Sequence, residues 1–167
     1  MKAIATVGWI SAAIGLGALA LALPAGAQDI YRQKISNDMS RCAPGAGPAV
    51  RVTVRGVDGS SGLVRVQSYR GTKQDWLEKG RWIYRIETPA RAGTMVMCMP
   101  LPESGTYGIA VRHDKNGNGK TDLREDGGGM SNNPSINLFN LGKPSYTKTA
   151  FSVGNGVESI AIEMKYF

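Results

Sequence analysis

The chain has 167 residues and a formal net charge of +7, because 20 Lys and Arg residues outnumber 13 Asp and Glu residues. Its single histidine excludes the multi-histidine zinc sites of common metalloenzymes. No Walker phosphate-binding loop, dinucleotide-binding fingerprint or Gly-x-Ser-x-Gly motif of serine hydrolases occurs in the sequence. These features argue against most enzyme classes, and we predict a protein that is not an enzyme and has no catalytic residues.

The first 27 residues have the pattern of a secretory signal peptide. Lys2 precedes an apolar stretch over residues 4–23, and the segment that ends at Ala27 supplies the small residues that signal peptidase accepts. We expect cleavage after Ala27, which would leave a periplasmic or secreted chain that is not an integral membrane protein. A transmembrane anchor is the alternative, because the apolar stretch is nearly long enough to span a bilayer.

The predicted mature chain keeps a net charge of +6, since 19 basic residues remain beside 13 acidic ones. A positive balance suggests an anionic partner, here an anionic component of the cell envelope. Solubility alone is the simpler explanation. Nucleic acid is not expected as a partner of an exported protein.

Two cysteines, Cys42 and Cys98, occur in the chain. Outside the cytoplasm an even cysteine count favours a disulfide, and we predict one between these two residues. Two buried thiols are the alternative that the sequence leaves open.

Alternation of apolar and polar residues predicts a series of short strands after an N-terminal arm over residues 28–48. The predicted strands are 49–57, 63–69, 82–88, 94–99, 106–113, 148–153 and 157–166, with the first two joined as a hairpin. No amphipathic helix of ordinary length is evident. We therefore predict an all-β domain over residues 49–167, a single immunoglobulin-like or transthyretin-like β-sandwich of about seven strands.

The strongest local motif begins at Asp114 and opens a long loop over residues 114–146 that is rich in Gly, Asn and Asp. Oxygen-bearing groups recur at alternate positions with a glycine at the sixth, which is the calcium-loop pattern of EF-hands. The predicted metal ligands are Asp114, Asn116, Asn118, the backbone carbonyl of Lys120, Asp122 and Glu125. A strand rather than a helix precedes the loop and two amides replace carboxylates, so we expect a weak calcium site. A metal-free loop of Asx turns is the alternative.

A loop of this length is unusual unless it is functional or disordered. We predict that it also forms a ligand-binding surface, with His113, Ser131, Asn132 and Asn133 as binding residues. A purely structural connection is the alternative.

A second candidate surface is basic. We expect Arg51, Arg55 and Arg65 to line one exposed sheet face, near Tyr69, Trp76 and Trp82, where they could bind an anionic polymer. A solvated face without a ligand is the alternative.

The run from His113 to Asp122 resembles a bacterial family catalogued as domain of unknown function 2141. The resemblance continues through residues 129–133, 142–145 and 150–153, and upstream residues 105–111 match the strand that precedes the family's loop. It covers residues 50–166. The resemblance implies an exported protein with a small β-sandwich. It implies no activity, cofactor or catalytic residue, because none is established for the family.

Three hypotheses follow. The first is a non-enzymatic binding or structural module whose long loop is the interaction surface, with calcium ordering that loop. The second is an accessory domain or hydrolase that acts on cell-envelope polymers. The third is a basic adhesion module for anionic envelope components.

Overall fold

The computed structural model describes residues 30–122, 124–137, 140 and 142–166. The predicted signal peptide, residues 1–27, lies outside the described residues. Within the described ranges, no helix is long and apolar enough to cross a membrane.

Strands dominate the described chain, so the predicted all-β class is confirmed. Nine of them occur in its described ranges: β1 Gln33–Ile35, β2 Ala49–Val57, β3 Leu63–Arg70, β4 Tyr84–Pro89, β5 Gly93–Pro100, β6 Gly105–Asp114, β7 Gly127–Met130, β8 Phe151–Val153 and β9 Val157–Glu163. A 3₁₀ turn spans Met39–Cys42, and a single helical turn, α1, spans Tyr146–Thr149.

The strands form two sheets. Sheet 1 has the order β1-β4-β3-β6-β7, with β8 also pairing with β6, and sheet 2 has the order β5-β2-β9. Most pairs are antiparallel, but β1 runs parallel to β4 and β2 runs parallel to β9.

Both sheets contribute to one apolar core. The alternation in β2 buries Val50, Val52 and Val54 completely, and β3 buries Val64 and Val66 in the same cluster. Because successive side chains of a strand point to opposite faces, the intervening arginines of β2 and β3 lie on the outer faces of their sheets.

The predicted hairpin of the first two strands is wrong. β2 pairs with β5 and β9, whereas β3 pairs with β4 and β6, so the turn between them carries the chain from one sheet to the other. Each of the two strands has a row of apolar side chains, and both rows are buried in the same core. Alternation alone does not distinguish two strands side by side from two strands facing each other across a core.

Three other elements differ from the prediction. Residues 146–149, partly predicted as strand, form α1, because the side chain of Ser145 accepts a hydrogen bond from Thr147 N and caps the turn. The predicted N-terminal arm contains β1, and the predicted long loop contains β7.

The predicted disulfide is confirmed between Cys42 and Cys98, whose Cα atoms are 5.8 Å apart. It ties the N-terminal arm to β5. Asn37 adds two hydrogen bonds there, because its amide donates to Val96 O at 3.2 Å and accepts from Cys98 N at 2.9 Å. The arm therefore covers the β5 edge of sheet 2.

Candidate ligand groove and Asp-Asn loop

Asp114, at the end of β6, is almost completely buried. Its Oδ2 accepts hydrogen bonds from Gly119 N at 2.9 Å and from Arg112 Nη2 at 3.0 Å. In the described part of the chain its buried Oδ1 has no hydrogen-bond partner. An unpaired buried carboxylate oxygen is costly, so this atom is a candidate ligand-binding group.

We call residues 114–126 the Asp-Asn loop. Asn116 Oδ1 accepts from Asn118 N at 3.0 Å, and Asn118 Oδ1 accepts from Lys120 N at 2.7 Å, so two consecutive Asx turns shape the backbone. Asp122 receives both amide NH₂ groups, Asn116 Nδ2 at 3.1 Å and Asn118 Nδ2 at 2.6 Å. These two hydrogen bonds lower the pKa of Asp122.

The predicted metal ligands are thus brought together in part. Asn116 Nδ2 also donates to Glu125 Oε2 at 3.0 Å, which places the third, fifth, ninth and twelfth positions of the motif in one cluster. Among the described residues, no group of three or more His, Cys, Asp or Glu side chains is arranged to hold a metal ion. A cation would need the two amides to turn over, so that their oxygens replace their NH₂ groups as the inward atoms.

Asp126 organises this loop and was not predicted. The residue is buried; its Oδ1 accepts from Lys115 N at 3.1 Å and its Oδ2 accepts from Asp122 N at 3.0 Å. It closes the loop base from the far end, a role that the calcium-loop pattern does not include.

His113, predicted as a binding residue, is completely buried. Its Nε2 lies 2.8 Å from the carbonyl of Ser61 and its Nδ1 lies 2.8 Å from the hydroxyl of Tyr166. A carbonyl only accepts, so Nε2 carries the proton, and in the neutral ring Nδ1 accepts from the tyrosine hydroxyl. Both ring nitrogens are therefore used inside the fold.

The other three predicted binding residues anchor the chain after β7. Ser131 Oγ donates to Thr149 O at 2.6 Å and accepts from Ile109 N at 3.0 Å. Asn132 and Asn133 have positive φ values, 62° and 46°, and their amides donate to Ala150 O and Ala161 O. These polar atoms hold the long segment against neighbouring strands, so they are engaged within the fold.

A groove of about 470 Å³ lies on the outer face of sheet 1. We call it the groove. Its floor consists of side chains from the three adjacent strands β3, β6 and β7: Arg65, Gln67, Tyr69, Ala110, Arg112 and Met130. Its walls come from segments that cover the sheet, including Leu77, Thr121, Ile136 and Lys143. It is therefore enclosed by the same long segment that contains the Asp-Asn loop.

Aromatic packing fixes one wall of the groove. Trp76 packs edge-on against Tyr69 with ring centroids 5.5 Å apart, and its indole nitrogen donates to Pro144 O at 2.9 Å. Gly108 provides the space, because a side chain there would overlap the Trp76 ring. Burial raises the pKa of Tyr69 to about 12, against the opposing effect of Arg85 and Arg65. The phenol therefore stays neutral at physiological pH.

The three glycines of β7 have two different roles. A side chain at Gly127 would overlap the ring of Tyr166, and one at Gly129 would overlap Ile162, so both positions face the core. A side chain at Gly128 would meet no atom within 4 Å. Gly128 is paired with Arg112 and lines the groove, so it leaves the groove open beside that arginine.

The predicted basic face is wrong, because its three arginines do not lie on the same sheet. Arg51 and Arg55 belong to β2 in sheet 2, where Arg51 donates to Cys42 O and Arg55 pairs with Glu163. Arg65 instead lies in sheet 1, directly opposite Arg112 on the neighbouring strand. The basic cluster of sheet 1 could not be found from β2 and β3 alone, because it depends on which strands pair.

The sequence profile of a bacterial family, described as "Uncharacterized protein conserved in bacteria (DUF2141)", matches residues 52–161. The chain belongs to this family. The resemblance predicted from the loop motifs is thereby confirmed, and the matched segment contains the whole Asp-Asn loop and the floor of the groove. Comparison with curated proteins and with solved structures gives no match.

Proposed function

We propose that this member of the family is an exported, non-enzymatic binding module and that its ligand lies in the groove. The groove carries this proposal. Its volume of about 470 Å³ lies within the usual range of small-molecule sites, and its lining combines apolar side chains with a few polar ones. The floor is built on the paired strands β3, β6 and β7, which favours a preformed site over one that ligand binding must create.

Two observations support binding rather than catalysis. The only histidine of the chain, His113, is buried with both ring nitrogens engaged, so it is unavailable for proton transfer to a ligand. Asp126, which lines the groove, uses both carboxylate oxygens for backbone N–H groups. An accessory domain or hydrolase acting on envelope polymers remains the second hypothesis, and it would need a catalytic group in the groove.

Export is part of the proposal. A disulfide such as Cys42–Cys98 is typical of proteins outside the cytoplasm. We also propose that the two sheets form an immunoglobulin-like or transthyretin-like sandwich; Tyr107, which is buried and donates to Glu103 O at 2.8 Å, resembles the tyrosine corner of such domains. Cell fractionation with N-terminal sequencing tests export, and we expect a periplasmic or secreted product that begins at Gln28. A cytoplasmic product would contradict it.

The groove is tested with two fluorescent dyes of similar size, neutral phenylnaphthylamine and anionic anilinonaphthalene sulfonate. We expect at least one dye to bind saturably to the purified protein and to lose its binding in Gly128→Leu, which fills the groove. Gly154→Leu is the matched control, because a side chain at Gly154 also meets open space but lies outside the groove lining. Binding of both dyes that is unchanged in Gly128→Leu would contradict the proposal.

Calcium binding by the Asp-Asn loop is a second candidate function. The observation that favours it is the buried Oδ1 of Asp114, which has no partner among the described residues and belongs to the first position of the motif. Calorimetric titration with calcium chloride tests this proposal. We expect a dissociation constant on the order of 0.1–1 mM, as in extracellular calcium modules.

Asp122→Ala and Glu125→Ala should each abolish the calcium heat. Glu103→Ala is the control, because Glu103 is an exposed carboxylate that pairs with Arg70, outside the Asp-Asn loop. If calcium gives no heat at millimolar concentration, the loop is a set of Asx turns without a metal.

A further inference from the structure

Two arginines face each other across paired strands on the floor of the groove. Arg65 of β3 and Arg112 of β6 are Cα partners in the antiparallel ladder. Their side chains are each only 16% exposed. Like charges directly opposite each other destabilise a sheet, and partial burial weakens the screening by water. Such a conflict between local chemistry and fold is expected at functional sites.

The protein compensates this charge incompletely. Glu87 of β4 is shared by three cations, with contacts of 2.6 Å to Arg65, 3.1 Å to Lys34 and 3.8 Å to Arg85. Asp114 pairs with Arg112 at 3.0 Å, and the carboxylate of Asp126, which also lines the groove, attracts Arg112 as well. Lys143 adds a further cation on the groove wall.

The guanidinium groups of Arg85 and Arg112 are also incompletely hydrogen-bonded. Arg112 donates from Nη1 to Thr121 Oγ1 at 2.8 Å and from Nη2 to Asp114 Oδ2 at 3.0 Å. Among the described residues, the buried Nε atoms of Arg85 and Arg112 have no hydrogen-bond partner. Burial, followed by the repulsion from Arg65, lowers the pKa of both arginines. The groove and the strand beside it thus carry an excess of positive charge, and Arg112 on the groove floor has one unpaired donor.

We propose, building on the binding function proposed above, that the groove takes an amphiphilic anion. A carboxylate, phosphate or sulfate group of the ligand would lie at Arg65 and Arg112, because guanidinium groups bind such groups in a bidentate manner. The apolar part of the ligand would lie along Tyr69, Leu77, Met130 and Ile136, which are large apolar side chains of the lining. Gly128 leaves the space beside Arg112 in which the anionic group would fit.

The two dyes test this inference, because they share an aromatic body and differ by the sulfonate. We expect the anionic dye to bind about tenfold or more tightly than the neutral one, the difference expected for a charge-assisted hydrogen bond. Arg65→Met and Arg112→Met should remove most of this preference. Arg55→Met, on the outer face of sheet 2, is the control that keeps the groove intact.

Removal of Arg112 could disturb Asp114, so Gly128→Leu provides a second test that changes no charge. If it abolishes binding of the anionic dye while the melting temperature is retained, the site is the groove. Equal affinity for both dyes, lost in Gly128→Leu, would overturn the anion preference and leave the binding function standing. If Gly128→Leu affects neither dye, both proposals fail.

The source of the anion is distinguished by competition. Octyl phosphate that displaces the anionic dye, without cosedimentation of the protein with phosphatidylglycerol vesicles, indicates a free amphiphile. Cosedimentation that needs Arg65 and Arg112 and is absent with phosphatidylcholine indicates a lipid headgroup. If neither octyl phosphate nor phosphatidylglycerol vesicles displace the dye from the groove, the proposal is overturned.

Discussion

The outer faces of the two sheets carry the same residue type in different surroundings. On sheet 2, the Arg55 side chain is 56% exposed and pairs with Glu163 at 3.4 Å. On sheet 1, Arg65, Arg85 and Arg112 are 16%, 18% and 16% exposed and share few carboxylates. The number of basic residues on a sheet face therefore does not identify a binding surface. What matters is whether the charges are desolvated and left without counter-charges.

The segments that pack against the two sheets are also held differently. A disulfide holds the N-terminal arm against sheet 2, whereas side-chain packing and hydrogen bonds hold the cover of sheet 1. Four predictions test this contrast, in order of decreasing effect on stability.

Loss of the disulfide should have the largest effect. The Cys42→Ser, Cys98→Ser double variant opens a loop with a sequence separation of 56, which costs about 4 kcal/mol in the chain-entropy model. Urea unfolding of the variant and the oxidised protein measures this difference. Dye binding should survive under folding conditions, because the groove lies on the other sheet. If the double variant folds but loses dye binding, the two faces are not independent.

Two glycines of sheet 1 should respond to the same added methyl group by different amounts. Gly108→Ala should destabilise the protein by about 1–3 kcal/mol, because the methyl group displaces Trp76. Gly128→Ala should change stability by less than about 1 kcal/mol, since its methyl group meets open space. Thermal melts with tryptophan fluorescence measure both. Equal effects would show that Trp76 does not depend on the space above Gly108.

Removing one arginine from each outer face should change stability in opposite directions. Arg55→Met loses an exposed ion pair and should destabilise by less than about 1 kcal/mol. Arg85→Met should be neutral or stabilising by up to about 1 kcal/mol, because relief of the repulsion from Arg65 offsets the loss of the cation–π contact in which Arg85 Cζ lies 4.1 Å from the centroid of the Trp82 ring. Urea unfolding of both variants measures these changes in the free energy of unfolding. A clear loss of stability in Arg85→Met would mean that the cluster is structural.

The smallest expected effect is on how the free energy of unfolding changes at acidic pH. Burial raises the pKa of Glu87, but hydrogen bonds from Lys34 and Arg65 outweigh it and lower the pKa below the ordinary value of 4.5. Because the folded-state pKa is depressed, the stabilisation is present above pH 4.5 and is lost as the pH falls through the folded-state pKa. Glu87→Gln should therefore reduce the loss of stability on acidification in this window. Identical pH profiles would contradict the assignment, and Lys34→Ala should give an intermediate profile.

Local patterns predicted several features well. Strict alternation predicted β2 with its correct bounds and placed Val50, Val52 and Val54 in the core. The disulfide followed from cysteine count and compartment. The Asp-Asn loop followed from spacing, because its Asx turns involve residues only two positions apart.

Features that depend on distant residues could not be predicted. Glycine has low strand propensity, so the sequence of β7 does not indicate a strand; its glycines are required by Tyr166 and Ile162, which pack over them. The groove depends on the same kind of information. Alternation places Arg65 and Arg112 on outer faces, but only the pairing of β3 with β6 sets them opposite each other.

The position of β2 has a consequence for how the chain folds. β2 is the central strand of sheet 2, and its parallel partner β9 lies far along the chain, so that Arg55 contacts a residue 108 positions later. Contacts between such distant residues slow folding, because a long loop must close first. Sheet 2 therefore cannot be completed until β9 is available. For a chain that we propose is exported, this delay would favour passage through the membrane in an unfolded state, with the native topology formed only on the far side.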